Sequence, residues 1–199
     1  MVKLLKKYIN KNDIVLKNNI EDVKLLINYA NKNNIVLEIN ETNKYGNYPL
    51  LSAISKNNIE MVQLLIAYPK KINIVLEINE KNEKRNYPVL LAIGTNNFEM
   101  VQLLIDYANK NKIILEINEK NEYGNYPLLW ATDKNNIEII KLLIDYANKN
   151  NIVLEINDKT ENGGYPLLFA TIRNNIEMVQ LLIDYAIENN IILKLNEKN

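Results

Sequence analysis

The sequence predicts an all-α repeat solenoid of stacked helix pairs joined by long hairpin-like connections. Three observations predict it. Prolines recur at Pro49, Pro88, Pro127 and Pro166, each 39 residues after the last, inside the phrases "NYPLL", "NYPVL", "NYPLL" and "GYPLL". Eight residues after each proline comes "NNIE" or "NNFE", followed by apolar residues at helical spacing, as in "MVQLLIDYANKN". The units then close on "IVLEIN" or "IILEIN", with "IILKLN" in the last. Self-similarity at a fixed period of this size is the signature of a repeat architecture.

The chain opens atypically. "MVKLLKKYINKNDIVLK" reads as a second helix with its "IVL" tail and no first helix. Residues 1–17 are therefore expected to be an N-terminal capping segment, one side made polar by Lys3, Lys6 and Lys7. The repeats follow over residues 18–199, as a partial unit near 18–40 and full units near 41–79, 80–118, 119–157 and 158–196.

Within a unit, Pro49 and its equivalents suit the first turn of a helix, where a missing N–H costs nothing. That helix is short and ends near Lys56–Asn57. A second helix starts at once, with Asn57, Asn96, Asn135 and Asn174 as N-cap candidates. Glu60, Glu99, Glu138 and Glu177 stand three residues later, in the spacing of a capping box. In the third full unit, Ile137, Ile140, Leu143, Ile144 and Ala147 follow the i, i+3, i+4 pattern. Leu142 and Tyr146 widen that stripe, so both sides of the helix are expected to pack. The helix should end at "NKNN", where Asn tolerates a left-handed cap. "IVLEIN" is too short for a helix and reads as extended chain. Gly46, Gly124 and Gly163 then supply a positive φ before the next Tyr-Pro. A single unit buries too little apolar surface to offset its own backbone entropy, so the units must stack and share faces.

Two places depart from the pattern. In the unit 80–118 Arg85 replaces the turn glycine, which predicts a different turn or a strained backbone. In the unit before it Pro69 follows "LLIAY", so the second helix there should stop near Tyr68. At the other end, Met178, Val179, Leu182 and Tyr185 continue the ordinary pattern, and "NEKN" at 196–199 begins another unit. This predicts either further chain in a longer protein or self-association through the last repeat.

Composition narrows the function. The 199-residue chain has no Cys and no His, which removes disulfides, thiolate nucleophiles, the usual zinc ligands and the neutral-pH proton carrier. Lys plus Arg equals Asp plus Glu at 24 each, which argues against nucleic acid as a partner. "MVKLLKKYINKND" breaks its apolar run with lysines, unlike a secretory signal, and no apolar stretch approaches a membrane span. A cytoplasmic protein with no membrane partner is the expectation. Asn, Ile, Lys and Tyr number 37, 29, 22 and 12, a bias that AT-rich codons explain, so no single Asn or Lys counts as a functional clue.

The motif "NEYGNYPLLWATDKNNIEIIKLLIDYA" at 121–147 resembles the ankyrin repeat: a Gly-containing turn, a T-P-L-H-x-A-like phrase, a short helix, a polar turn and a second helix. Asn40, Asn79, Asn118 and Asn157 match the Asn that closes the hairpin segment in that family. Tyr and Leu replace the family's Thr and His, the period is 39 rather than 33, and the Gly after the second helix is missing. The six extra residues fall between "LLIDYA" and "LEIN".

The resemblance implies a protein–protein interaction scaffold that binds through a concave face of turns and first helices. The positions that vary between units are the candidates it implies. Around the turns they are Lys44, Tyr45 and Asn47; Glu83, Lys84 and Asn86; Glu122, Tyr123 and Asn125; and Glu161 and Asn162. At the first-helix ends they are Ser55 and Lys56, Gly94 and Thr95, Asp133 and Lys134, and Ile172 and Arg173. Tyr45 and Tyr123 stand out, because an exposed Tyr is a good interface anchor. Drift at solvent positions is the competing explanation. Tyr48, Tyr87, Tyr126 and Tyr165 take the framework Thr position and read as packing between units. So do Tyr29, Tyr68, Tyr107, Tyr146 and Tyr185, and Trp130 and Phe169 read as core.

No nucleotide, hydrolase or metalloprotease motif occurs. "DKTENG" at 158–163 resembles the start of a calcium loop, but position 12 of that loop is Phe169 rather than Glu. Asn40-Glu41-Thr42 is a glycosylation sequon that so Asn-rich a chain produces by chance. The acidic residues recur at the same place in each unit, which favours capping and solvation over paired-carboxylate chemistry. No cofactor, metal or catalytic residue is expected. A passive spacer array is the alternative reading, and a carbohydrate-active enzyme a distant one.

Overall fold

The computed structural model describes residues 20–68 and 74–194. Among them are nine α-helices and no strands. Second helices are α1 (Ile20–Lys32), α3 (Ile59–Ala67), α5 (Phe98–Asn111), α7 (Ile137–Lys149) and α9 (Ile176–Glu188). First helices are α2 (Pro49–Ser55), α4 (Pro88–Gly94), α6 (Pro127–Asp133) and α8 (Pro166–Ile172). Each first helix packs on its own second helix and on the first helix of the next unit, giving a stack of helix pairs. The segment 1–17, expected to cap the stack, lies outside the described residues.

Every first helix begins with Pro in its first turn, after a Tyr in extended conformation. Its end corrects the capping expectation. Asn57, Asn96, Asn135 and Asn174 are not N-caps: their φ values are +52, +57, +57 and +53°. They close the first helix in the left-handed conformation. The N–H of Asn57 donates to Ile54 C=O at 2.8 Å and that of Asn58 to Ala53 C=O at 3.0 Å, a Schellman pair. The N-caps are the next residues, Asn58, Asn97, Asn136 and Asn175, whose side chains accept from Met61, Met100, Ile139 and Met178 N–H. Glu60 and its equivalents therefore sit one position too early for a capping box. Two of them reach the preceding unit instead, in Lys24–Glu60 and Lys141–Glu177, both at 3.0 Å.

The buried face of α7 is also rotated from the expectation. Ile139, Ile140, Leu143, Tyr146 and Ala147 are buried, while Ile137, Leu142 and Ile144 are half-buried. The second helices α1, α7 and α9 close through Asn34, Asn151 and Asn190 at φ of +54 to +55°, and α5 through Lys112 at +58°. Between "LLIDYA" and "LEIN" of the third full unit lie the end of α7 at Asn148–Lys149, the left-handed Asn151 and the first extended residues. α3 ends at Ala67 with Tyr68 as its C-cap, as Pro69 predicts.

The extended segments alternate. Leu37 and Ile39 are buried, and Val36 and Glu38, which precede them in turn, are exposed. Their backbone groups are satisfied across unit boundaries. Tyr68, Tyr107, Tyr146 and Tyr185 hydroxyls accept from Leu37, Leu76, Leu115 and Leu154 N–H at 2.8–3.0 Å. Asn40 donates to Val75 C=O at 2.9 Å and accepts from Glu77 N–H at 3.3 Å, and Asn79, Asn118 and Asn157 do the same one unit on. Tyr48, Tyr87 and Tyr126 are buried and donate to Glu80, Glu119 and Asp158 C=O in the following unit. These tyrosines pack between units as the sequence implies. Tyr165 is half-buried beneath Lys159, whose Nζ lies 5.9 Å from the ring centroid.

Burial pushes the hydroxyls of Tyr48, Tyr87 and Tyr126 far above the ordinary tyrosine value, and neighbouring carboxylates add to it. Burial also raises Tyr107, Tyr146 and Tyr185, against the opposing pull of a backbone N–H. The unfolded chain releases these protons near pH 10, and the folded chain retains them. Above that pH the folded state binds more protons, so stability falls as pH rises. The urea midpoint should therefore drop between about pH 8 and about pH 11. An unchanged midpoint would mean that these hydroxyls are not buried.

The turn glycines behave as expected, at φ +71° (Gly46), +75° (Gly124) and +76° (Gly163). Arg85 keeps the same turn, with its N–H on Asn82 C=O at 2.8 Å, and takes the strained conformation at φ +56°. Its guanidinium reaches Lys120 C=O at 3.2 Å and Glu119 at 3.4 Å, which offsets part of that strain. Gly46 and Gly124 differ in surroundings. A Cβ on Gly46 would lie 2.9 Å from Asn82 Cα, whereas one on Gly124 would lie no closer than 3.5 Å to any neighbour. Gly124→Ala should cost roughly 1–2 kcal/mol from the left-handed backbone alone. Gly46→Ala should cost measurably more. Thermal melts of the two variants check this, and equal losses would refute the packing difference.

Candidate functional site

The residues that vary between units gather on the face formed by the turns and the first helices. At the turn tips Tyr45 and Tyr123 are each 53% exposed. The Lys44 ammonium lies 4.8 Å from the Tyr45 ring centroid, and the Lys84 ammonium 5.4 Å from that of Tyr123. Lys84 also donates to the Tyr123 hydroxyl at 2.8 Å and pairs with Glu122 at 3.4 Å. The hydroxyl first, and Glu122 second, hold this ammonium above the ordinary lysine value. Lys44 thus sits against the Tyr45 ring and Lys84 is tied to Tyr123 through its hydroxyl, so the exposed groups are partly ordered before any partner arrives. Glu83, Glu161 and Asn162 are exposed beside them.

The turns are stacked as firmly as the helices. Asn43, Asn82 and Asn121 side chains accept from the N–H groups of their own turns. Asn82 donates onward to Asn47 Oδ1, and Asn121 to Asn86 Oδ1, both at 2.8 Å. The backbone N–H of Glu83 donates to Tyr45 C=O and that of Glu122 to Lys84 C=O. Asn47 and Asn86 therefore hold neighbouring turns together, and Asn125 is half-buried at the corresponding place.

At the first-helix ends, Ser55 and Thr95 hydroxyls donate to Ser52 and Ala92 C=O within their own helices. Asp133 and Arg173 pair across units at 2.8 Å. Lys56, Lys134 and Ile172 are exposed. Between these ends and the turns runs a column of half-buried residues, Ser52, Leu91, Trp130 and Phe169. Trp130 and Phe169 pack against the core, as the sequence implies, and keep part of their surface exposed. The Trp130 ring lies over Gly94 of the preceding unit, and the Phe169 ring over Gly164 at its own turn. The signal that could have found them is the unit-to-unit variation that marked the other candidates. Among the described residues no three acidic side chains gather closely enough to hold a metal ion. Asp158, which opens the calcium-like phrase, pairs with Lys120 at 2.6 Å. No helix among the described residues is long and apolar enough to cross a membrane.

Family models described as ankyrin repeats match residues 72–153 (three copies) and residues 13–66 (many copies). The chain belongs to the ankyrin repeat family. Ankyrin repeats are generally protein–protein interaction modules, and their proteins are typically scaffolds rather than enzymes. No curated protein matches the sequence. The ankyrin turn and first helix carry the variable residues here, while the Tyr and Asn framework carries the stack.

Trp130 is the only Trp in the chain, so its seat can be read by fluorescence. Gly94→Ala would place a methyl group in the space the indole ring occupies. The ring should swing toward water and its emission shift to the red. Alanine restores helix propensity, so the melting temperature should move by only about 2–4 °C. An unshifted emission would show that the ring does not rest on Gly94.

Proposed function

We propose that this chain is a scaffold that binds a protein partner through the face of its turns and first helices. The observation that carries this reading is the separation of roles along each unit. Most of the Tyr and Asn side chains that bond one unit to the next recur from unit to unit, and variation concentrates at the turn tips, the first-helix ends and the Leu91–Trp130–Phe169 column. Amphipathic tyrosines, a half-buried Trp and an Arg are the residue types that supply most binding energy at protein interfaces. The partner surface best matched to this face is mixed. It offers an apolar ridge for Trp130 and Phe169, and acidic groups for Lys56 and Lys134 beside polar groups for the Tyr45 and Tyr123 tips.

The passive-array reading draws on the near-identity of the bonds between units, and it predicts no specific partner. Affinity capture from cell lysate on the immobilised chain separates the two. Reversing Lys56, Lys84 and Lys134 together to Glu should abolish capture of the enriched protein. It should leave the melting temperature within a few degrees, because exposed ion pairs such as Lys84–Glu122 contribute little. Capture that survives the triple variant unchanged would exclude this face.

A further inference from the structure

A second surface runs down the stack on the extended segments. Val36, Val75, Ile114 and Val153 occupy the same place in consecutive units and are 51–57% exposed, and Ile192 continues the column at 86%. Beside them stand Glu38, Glu77, Glu116 and Glu155, with Lys194 at the end of the row. Lys81 neutralises Glu116. Among the described residues Glu38, Glu77 and Glu155 form no ion pair, leaving a row of free carboxylates along an apolar ridge.

This surface is held rigidly. Asn40 binds the carbonyl of Val75 and the N–H of Glu77, the two residues whose side chains face outward. Asn79 fixes Ile114 and Glu116 in the same way, and Asn118 fixes Val153 and Glu155. Ridge and row are therefore set in register before anything binds, which lowers the ordering cost of association. These bonds already occupy one carbonyl and one N–H of each outward-facing pair, and the outward side chains remain as the recognition surface.

Charge selects among occupants. A second copy of this chain would bring its own carboxylate row against this one, and like charges oppose that pairing. Spacing narrows the choice further. First helices pack directly on one another along the stack, which sets the unit spacing at about 8–10 Å. Seven residues of α-helix rise about 10.5 Å. A helix lying along the stack meets one ridge residue per heptad, and a Lys or Arg one turn away reaches the carboxylate row.

We propose that the Val36–Val153 ridge and its carboxylate row dock a basic amphipathic helix running along the stack axis. The four ridge residues span three unit steps, about 24–30 Å, which about three heptads of helix cover. This site lies apart from the turn and first-helix face and does not depend on the reading of that face.

The test uses the full chain and a synthetic helical peptide of about three heptads, with Leu at one position per heptad and Lys one turn later. Fluorescence anisotropy should show saturable binding that weakens as salt rises. A control peptide with Glu in place of Lys should not bind. Val75→Thr, Ile114→Thr and Val153→Thr together keep the β-branched shape and remove the apolar contact. They should weaken binding at least about tenfold without changing the circular dichroism spectrum. Glu77→Gln with Glu155→Gln, which leaves the ridge intact, should flatten the salt dependence. The proposal is overturned if the Lys peptide does not bind, if the Glu peptide binds equally well, or if folded variants of both kinds bind like the parent chain. Should the Thr variant fail to fold, the Gln variant decides alone.

Discussion

The extended segments carry backbone groups that neither a helix nor a sheet satisfies, and the whole architecture is built around that debt. A buried N–H or C=O without a partner costs free energy comparable to a lost hydrogen bond. Here the partners are side chains of the adjacent unit. Tyr107 takes the N–H of Leu76, and Asn40 takes the C=O of Val75 and the N–H of Glu77. No unit can leave the stack without orphaning groups in its neighbour. The buried tyrosines add apolar area to the same joints. Nearest-neighbour coupling of this kind is what makes a solenoid cooperative although each unit touches only the next.

The abundance of Asn takes on a different meaning in this light. Asn has a donor and an acceptor on one short amide, and it tolerates the left-handed conformation. Each unit uses those properties at several places. Asn96 closes α4 with a positive φ, and its Oδ1 accepts from Asn136 in the next unit at 2.8 Å. Asn97 caps α5, Asn118 clamps the next extended segment, and Asn121 organises its turn. Codon bias accounts for a composition, but not for an Asn at each of these joints. Thr160, at the place of Asn121, still accepts from Gly164 N–H but has no amide to donate to the preceding turn.

Much of the fold was legible because it is written locally. Pro at the first turn, Gly before Tyr-Pro and Pro69 after a helical run each fix a boundary through their own backbone chemistry. The N-caps were missed by one residue because either Asn of an "NN" pair can cap. The choice depends on which of them takes the positive φ, and that is set by how the first helix closes. The buried face of α7 was misjudged because Ile137 and Ile144 fit a helical stripe as well as Ile139 and Tyr146 do. Only packing against both α6 and neighbouring second helices distinguishes them. The bonds between units join residues 31–40 positions apart, beyond any local rule. Their trace in the sequence was only the constancy of Tyr and Asn. The candidate face was legible as variation, and Trp130 and Phe169 were legible as core packing, whereas their partial exposure depends on the neighbouring unit and was not.

The irregular junction between the units 41–79 and 80–118 shows which of these features the stack depends on. α3 has 9 residues where its counterparts have 13 or 14, and Arg85 strains the turn that follows. If helix length set the joint, the units on either side would part here. They do not, because the shortened helix keeps the residues that reach across. Tyr68 still accepts from Leu37 N–H, Asn40 still clamps Val75 and Glu77, and Tyr48 still donates to Glu80 C=O. Asn82 likewise keeps its bond to Asn47 despite the missing glycine. Continuity is therefore set by a few side chains of fixed identity, and helix length and turn residue are free to change around them. That freedom lets one rigid framework present different side chains on its turn face while its extended edge stays uniform.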